Sequence, residues 1–158
     1  MREVRKKGIT MYFEDYKVGM VFDKEIEPIK FTEEEIIEYG KKFDPRDFHI
    51  DKKAAEKSMF ARIIAPGSFS NMAFWGQWVK TGIDKEGGIC GLGLEYANWY
   101  RPVFADTLYK IKVEIIGKEV RKENRNGKVT FLMTAYDPAG NLVSDYACSA
   151  LIAFKNSK

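Results

Sequence analysis

The stretch from Ser68 to Val79, SFSNMAFWGQWV, most limits what this chain can fold into. Its large apolar side chains, among them Phe69, Phe74 and Trp78, point in several directions around a helical wheel and do not form one stripe. A helix that is apolar on all sides is usually buried on all sides. We therefore predict a central helix around which the rest of the chain is wrapped.

Strand patterns follow this helix. Apolar residues alternate with others in three runs, at Leu92, Leu94 and Tyr96, at Ile111, Val113 and Ile115, and at Val129, Phe131 and Met133. This period of two is typical of β-strands with one buried face. The dipeptide Asn126-Gly127 predicts a hairpin between the second and third runs. Residues 137–140 predict a turn before a fourth strand at 142–154.

A further strand is predicted at residues 20–31, ahead of the helices. The fold class is therefore α+β, a single domain at residues 11–158 in which a long antiparallel sheet wraps one buried helix. A length of 158 residues suits one domain, and a hydrophobic content of 45% can build its core. The basic residues 1–10 are interpreted as an N-terminal extension that can be disordered.

Charge and composition exclude several classes of protein. Lys and Arg outnumber Asp and Glu by 26 to 23, a net charge of +3 that is too small and too dispersed to indicate a nucleic-acid partner. No apolar run approaches the ~20 residues that span a bilayer, and no apolar signal core follows the charged N-terminus. We expect no membrane partner and a cytoplasmic location. Cys90 and Cys148 lie in apolar, strand-like sequence and are predicted to be buried free thiols.

A helix is predicted at residues 32–43, TEEEIIEYGKKF, because Thr32 and Glu35 have the spacing of a capping box. The helix delivers the chain to Asp44, and Pro45 prevents it from continuing. The next residues, FDPRDFHID, contain the only histidine of the chain, His49. We predict a loop here, followed by a short helix at residues 52–57.

Asp44 and His49 are candidates for acid–base chemistry. A carboxylate and an imidazole can divide proton donation and proton removal between them, because their pKa values differ. The five-residue spacing around Pro45 lets a loop bring both side chains into one cleft, although a lone loop histidine is more often a surface or capping residue. Asp47 and Asp51 compete for the carboxylate role, and Asp51 is better interpreted as the N-cap of the short helix.

The residues before the central helix form a second candidate site. Gly67 allows a ligand to approach the backbone, and the first turn of a helix, at Gly67 and Ser68, has free N–H groups that suit a carbonyl oxygen gaining negative charge. The alternative is an ordinary proline-glycine helix start at Pro66 and Gly67.

Other motifs carry less weight. The sequence has no GxSxG, P-loop, GxGxxG or HExxH motif. Tyr96, Trp99 and Tyr100 have the composition of an aromatic platform for RNA bases, but strand residues packing on a helix explain them at least as well.

Together these segments resemble the MaoC-like dehydratases, in the (R)-specific enoyl-CoA hydratase branch of the hotdog fold. The resemblance covers residues 12–154. FEDYKVGMVF is similar to the family's opening strand region, FTEEEIIEYGKKFDPRDFHIDKKAAEKSMF to its first helix and catalytic loop, IIAPGSFSNMAF to the start of its central helix, and YRPVFADTLYKIKVEI to a strand-turn-strand unit.

The resemblance implies a function. Asp44 and His49 match the catalytic pair, and Gly67, followed by Ser68, matches the glycine whose N–H holds the thioester carbonyl. The pair would activate a water that adds to C3 of a trans-2-enoyl thioester, or reverse this in a 3-hydroxyacyl thioester, as in fatty acid metabolism. The resemblance also implies a homodimer or a larger assembly of dimers, and no bound metal or redox cofactor.

The chain departs from the family at two places. The hydratases usually have Asn-Pro between the catalytic residues, whereas this chain has Pro45, Arg46, Asp47 and Phe48, and Pro66 stands where the family often has His or Ser. An altered substrate is therefore expected. A hotdog thioesterase and an acyl-CoA-binding module without activity remain as alternatives.

Overall fold

A computed structural model describes residues 10–157 of the chain. These residues form four helices, α1 to α4, and five strands, β1 to β5, after a 3₁₀ turn at Phe13–Asp15. In chain order the elements are β1 Val21–Phe22, α1 Glu33–Phe43, α2 Asp47–Ile50, α3 Lys52–Glu56, α4 Gly67–Val79, β2 Gly88–Trp99, β3 Lys110–Lys122, β4 Asn126–Tyr136 and β5 Leu142–Ala153. None of these helices is long and apolar enough to cross a membrane.

The strands form one antiparallel five-stranded sheet in the order β1-β3-β4-β5-β2. Register pairs such as Val113 with Met133 and Phe131 with Cys148 bring the predicted apolar positions onto one face. The alternation predicted for β3 and β4 is confirmed, because all six of its apolar residues have at most 3% of their surface exposed. The α+β fold class is confirmed with it.

Helix α4 packs across this buried face. The ring of Phe131 lies 5.6 Å from that of Trp75 and 5.7 Å from that of Trp78, and Trp75 also contacts Tyr146 of β5. The central helix is therefore confirmed. The expectation that it is buried on all sides is wrong for the single chain, since Met72 remains 48% exposed.

Strand β2 is the second correction. Leu92, Leu94 and Tyr96 were expected to face the core, but each is more than 40% exposed. The strand pairs with β5 along one edge, and among the described residues no strand pairs with its other edge. The alternating pattern is real, but no helix or strand of the described chain covers it.

One strand and one turn differ from their predictions. Residues 20–31 contain only the two-residue β1 and a bridge between Ile29 and Tyr109, because the chain bends between them. The turn between β3 and β4 is at residues 123–125, where Asn124 has a φ of 57°. Gly127 lies inside β4. A side chain at this position would collide with the ring of Phe13, which explains the glycine. The turn at residues 137–140 is confirmed, with Gly140 at a φ of 83°.

The cysteine prediction also needs correction. Both cysteines are free thiols, but only Cys148 is buried, since Cys90 lies on exposed β2. Residues 1–9 of the predicted extension lie outside the described residues. Thr10, its last residue, donates a hydrogen bond to the carbonyl of Ile83.

Candidate active site

Asp44 is placed by the end of helix α1. The helix starts as predicted, with Thr32 and Glu35 forming a reciprocal capping box. It ends at Asp44, whose backbone N–H donates to the carbonyl of Gly40 and whose φ and ψ leave the helical region. The side chain is 23% exposed and lies at the mouth of a cleft.

His49 lies on α2, a single helical turn where we expected an irregular loop. Its ring is buried, and Nδ1 lies 2.6 Å from the carbonyl oxygen of Ile64. Because a carbonyl can only accept, Nδ1 carries a proton and donates it. The close approach of α2 to α1 depends on Gly40, where a Cβ would lie 3.2 Å from the Cβ of His49.

The other nitrogen of His49, Nε2, faces Asp44. Its distance to Asp44 Oδ2 is 3.4 Å, whereas Asp44 Oδ1 is in contact with the guanidinium of Arg46. With Nδ1 protonated, the neutral imidazole has its lone pair at Nε2. Two acceptors at this distance can share a proton, or can both accept from one water that lies beside the line joining them.

The remaining aspartates have other positions. Asp51 accepts a hydrogen bond from the N–H of Ala54 and caps α3, as predicted. Asp47 begins α2, is exposed and does not line the cleft. Asp44 is therefore the carboxylate that the structure places against His49.

The start of α4 forms the opposite wall of the cleft. Pro66 precedes the helix without a side-chain cap, and no described residue accepts a hydrogen bond from the backbone N–H of Gly67 or Ser68. These N–H groups lie where a helix attracts negative charge. The hydroxyl of Ser68 is 3.0 Å from that of Tyr39, which links α4 to α1.

Trp99 covers Gly67. A Cβ on Gly67 would lie 2.4 Å from both Nε1 and Cε2 of the indole, so the ring packs directly against the glycine Cα. We expected Tyr96, Trp99 and Tyr100 to pack on a helix as strand residues. The ring of Trp99 does pack on α4, at Gly67, whereas Tyr96 and Tyr100 are each more than 40% exposed. The specific contact between Trp99 and Gly67 was not predicted, because the two residues are distant in sequence.

All four predicted site residues line one cleft of about 530 Å³. Its lining also includes Arg46, Ile64, Trp99, Tyr100 and Arg101, but not Asp47. Tyr100 donates a hydrogen bond to Asp145, and this bond raises the pKa of the phenol. Among residues 10–157, no three His, Cys, Asp or Glu side chains are grouped as a metal site requires.

This geometry joins two capacities. Asp44 and His49 can hold and deprotonate a water, and the first turn of α4 can stabilise an oxygen that gains negative charge. The arrangement suits addition or elimination next to a carbonyl group.

Known proteins are similar to this chain over most of its length. YdeM of Bacillus subtilis (strain 168), an uncharacterised protein, is 27% identical over 142 residues, which are 90% of this chain and 99% of that protein. A monoamine oxidase regulatory protein from Archaeoglobus superposes with a TM-score of 0.82 at 26% identity, over 93% of this chain and 97% of its own. The R-hydratase PhaJ1 from Pseudomonas aeruginosa shares the fold, with a TM-score of 0.69 at 18% identity over 94% and 93%.

The family pattern described as "MaoC like domain" matches residues 16–136, which include the cleft and most of the sheet. The matched segment contains α1, α4 and the strands that carry Trp99 and the buried face. The chain therefore belongs to the MaoC-like dehydratase family and has its hotdog fold, a sheet wrapped around a central helix.

Proposed function

We propose that this protein hydrates a trans-2-enoyl thioester, or dehydrates the corresponding 3-hydroxyacyl thioester. One observation carries the proposal. The Asp44 carboxylate and His49 Nε2 lie 3.4 Å apart, in the same cleft as the uncapped first turn of α4. Family membership supports hydration or dehydration of acyl thioesters in general, and PhaJ1, which shares the fold, is an R-hydratase.

In this proposal one water in the cleft donates hydrogen bonds to both Asp44 and His49. His49 Nε2 accepts one proton of the water, because Nδ1 is already donating to Ile64. Asp44 accepts the other hydrogen bond and orients the oxygen toward C3. The new C–O bond forms as the C2=C3 electron pair moves onto the thioester as an enolate, and the proton taken by His49 is then delivered to C2.

Gly67 and Ser68 stabilise the enolate oxygen in this proposal. Their N–H groups stand at the positive end of α4 and have no acceptor among the described residues. One such donor typically contributes about 10²–10³ in rate, and the acid–base pair about 10²–10⁴. The reaction needs no electron transfer, so we propose no redox cofactor and no metal.

The test is loss of the conjugated enoyl thioester absorbance with crotonyl-CoA and longer trans-2-enoyl-CoAs. Asp44→Asn and His49→Ala should each lower turnover by at least about 10² without unfolding the protein. Asp47→Asn is the matched control, because this carboxylate is two residues from His49, exposed and outside the cleft. Full activity of the Asp44→Asn variant would disprove the assignment.

The same assay separates the alternatives. Release of a free thiol from acyl-CoA would indicate a thioesterase, although α4, residues 67–79, contains no Asp or Glu. Acyl-CoA binding without reaction, unaffected by His49→Ala, would indicate a binding module.

We propose that a second copy of the chain covers β2, in a cytoplasmic homodimer or an assembly of dimers. Within residues 10–157 the strand offers an unpaired edge together with exposed Ile89, Leu92 and Leu94, and an uncovered apolar edge of this length favours aggregation. Light scattering should give twice the chain mass or an even multiple. Leu94→Lys should shift the protein toward the monomer, and a monomeric wild type would refute this assembly.

A further inference from the structure

We propose that the indole N–H of Trp99 is a further donor to the thioester carbonyl, beside the backbone N–H groups at the start of α4. This inference rests on the proposed function, because the carbonyl is that of its substrate. It adds a side chain from the sheet edge to a site that the sequence places on α1, α2 and α4.

The position of the ring comes from Gly67. A Cβ on this glycine would be 2.4 Å from Trp99 Nε1 and from Cε2, and 2.9 Å from Cδ1. These atoms belong to the five-membered ring, and their similar distances place the face of that ring over the first residue of α4, with Nε1 close to the helix start. The glycine is needed here because any side chain would displace the indole.

The N–H of this indole has no acceptor among residues 10–157. In contrast, Trp78 Nε1 donates to Asp84 over 3.2 Å. Trp99 is 56% exposed and lines the cleft together with Asp44, His49 and Ser68. The indole N–H is therefore free to donate to a ligand that enters the cleft.

The chemistry fits an oxygen that gains charge. Indole N–H is a donor that cannot accept, so it does not compete for protons with Asp44 or His49. Donors fixed in advance around an enolate oxygen are effective because they do not reorganise during the reaction. Two backbone N–H groups and one indole N–H would surround that oxygen from the helix and from the sheet.

The experiment compares Trp99→Phe with wild type, because phenylalanine keeps an aromatic ring at this position and has no N–H donor. Calorimetry with butyryl-CoA, which cannot be hydrated, measures the contact without the reaction. We expect a Kd about tenfold higher for Trp99→Phe, the loss of one hydrogen bond. With crotonyl-CoA we expect kcat to fall by about 10²–10³ and KM to change less.

Tyr136→Phe is the matched control. It also removes one polar hydrogen from an aromatic side chain, but Tyr136 ends β4 and does not line the cleft. This variant should bind butyryl-CoA and hydrate crotonyl-CoA as wild type does.

Several results would overturn the inference. Wild-type behaviour of Trp99→Phe in both assays would show that the ring only packs, and faster turnover by Trp99→Ala would show that it obstructs the site. If wild type binds butyryl-CoA but hydrates no enoyl-CoA, the proposed function fails, and the Kd ratio alone decides whether Trp99 is a donor. Failure of wild type to bind butyryl-CoA would overturn both.

Discussion

Replacing Gly67 by alanine adds one methyl group at the point where α4 and the indole of Trp99 meet. The new Cβ would be 2.4 Å from two ring atoms, far inside the ~3.5–4 Å of a normal carbon contact. The ring must therefore move. Gly67 has a helical backbone without positive φ, so the backbone itself accepts alanine.

The two consequences differ in size. Stability should change by no more than about 1 kcal/mol, because alanine favours the helix by up to about 1 kcal/mol and the displaced ring is more than half exposed. Activity should fall by at least about 10², because the methyl group and the displaced indole both disturb the site of the carbonyl oxygen. Thermal unfolding and crotonyl-CoA hydration measure these two effects separately.

Gly76→Ala is the control on the same helix. A Cβ at Gly76 meets nothing within 4 Å, so this variant should keep full activity and gain about 0.5–1 kcal/mol in stability. If Gly67→Ala were as active as Gly76→Ala, the carbonyl would not be held at the start of α4. Our assignment of that turn would then be wrong.

Two further predictions concern buried titratable groups. Burial raises the pKa of Asp84 despite the hydrogen bond from Trp78, so the fold loses stability as pH rises through that value. Asp84→Asn should therefore be more stable than wild type at pH 7, with an advantage in the free energy of unfolding that shrinks as acid protonates Asp84; an equal advantage at all pH values would contradict this. Burial also raises the pKa of the Cys148 thiol to about 12, so iodoacetamide at pH 8 should label native Cys90→Ser protein only on unfolding. Rapid labelling of the folded variant by mass spectrometry would show that Cys148 is accessible.

Local signals were sufficient for the helices that position the site. The capping box at Thr32, the N-cap at Asp51 and the break at Pro45 each act within a few residues, and the structure has all three features. The alternation in β3 and β4 was also reliable, since α4 covers these strands within the same chain.

Patterns that depend on distant partners were misread. The alternation in β2 is the same whether α4 or a second chain covers the strand, so the sequence could not show that Leu94 is exposed. Asn126-Gly127 has the composition of a turn, but Gly127 is needed because the ring of Phe13 packs on it. A glycine required for a close approach and a glycine required for a turn look identical in sequence.

The residues of the candidate site also divide into those with a local sequence signal and those that depend on distant contacts. Asp44 and His49 are close in sequence, and a motif with that spacing was enough to suggest them. Trp99 belongs to another strand and follows no motif, so only the three-dimensional contact with Gly67 shows that it lines the cleft. The carbonyl of Ile64, which fixes the tautomer of His49, was missed for the same reason.

One short segment connects the two halves of this site. The carbonyl of Ile64 accepts a hydrogen bond from His49 Nδ1, the N–H of Ile64 donates to the carbonyl of Phe48, and three residues later Gly67 begins α4. The N–H of Ala65 donates to Val103, which ties the same segment to the wall that follows Trp99. A shift of this segment would move the imidazole and the helix start together. The proposed addition of water across C2 and C3 needs a fixed distance between the water and the carbonyl oxygen, and we expect this shared segment to fix it.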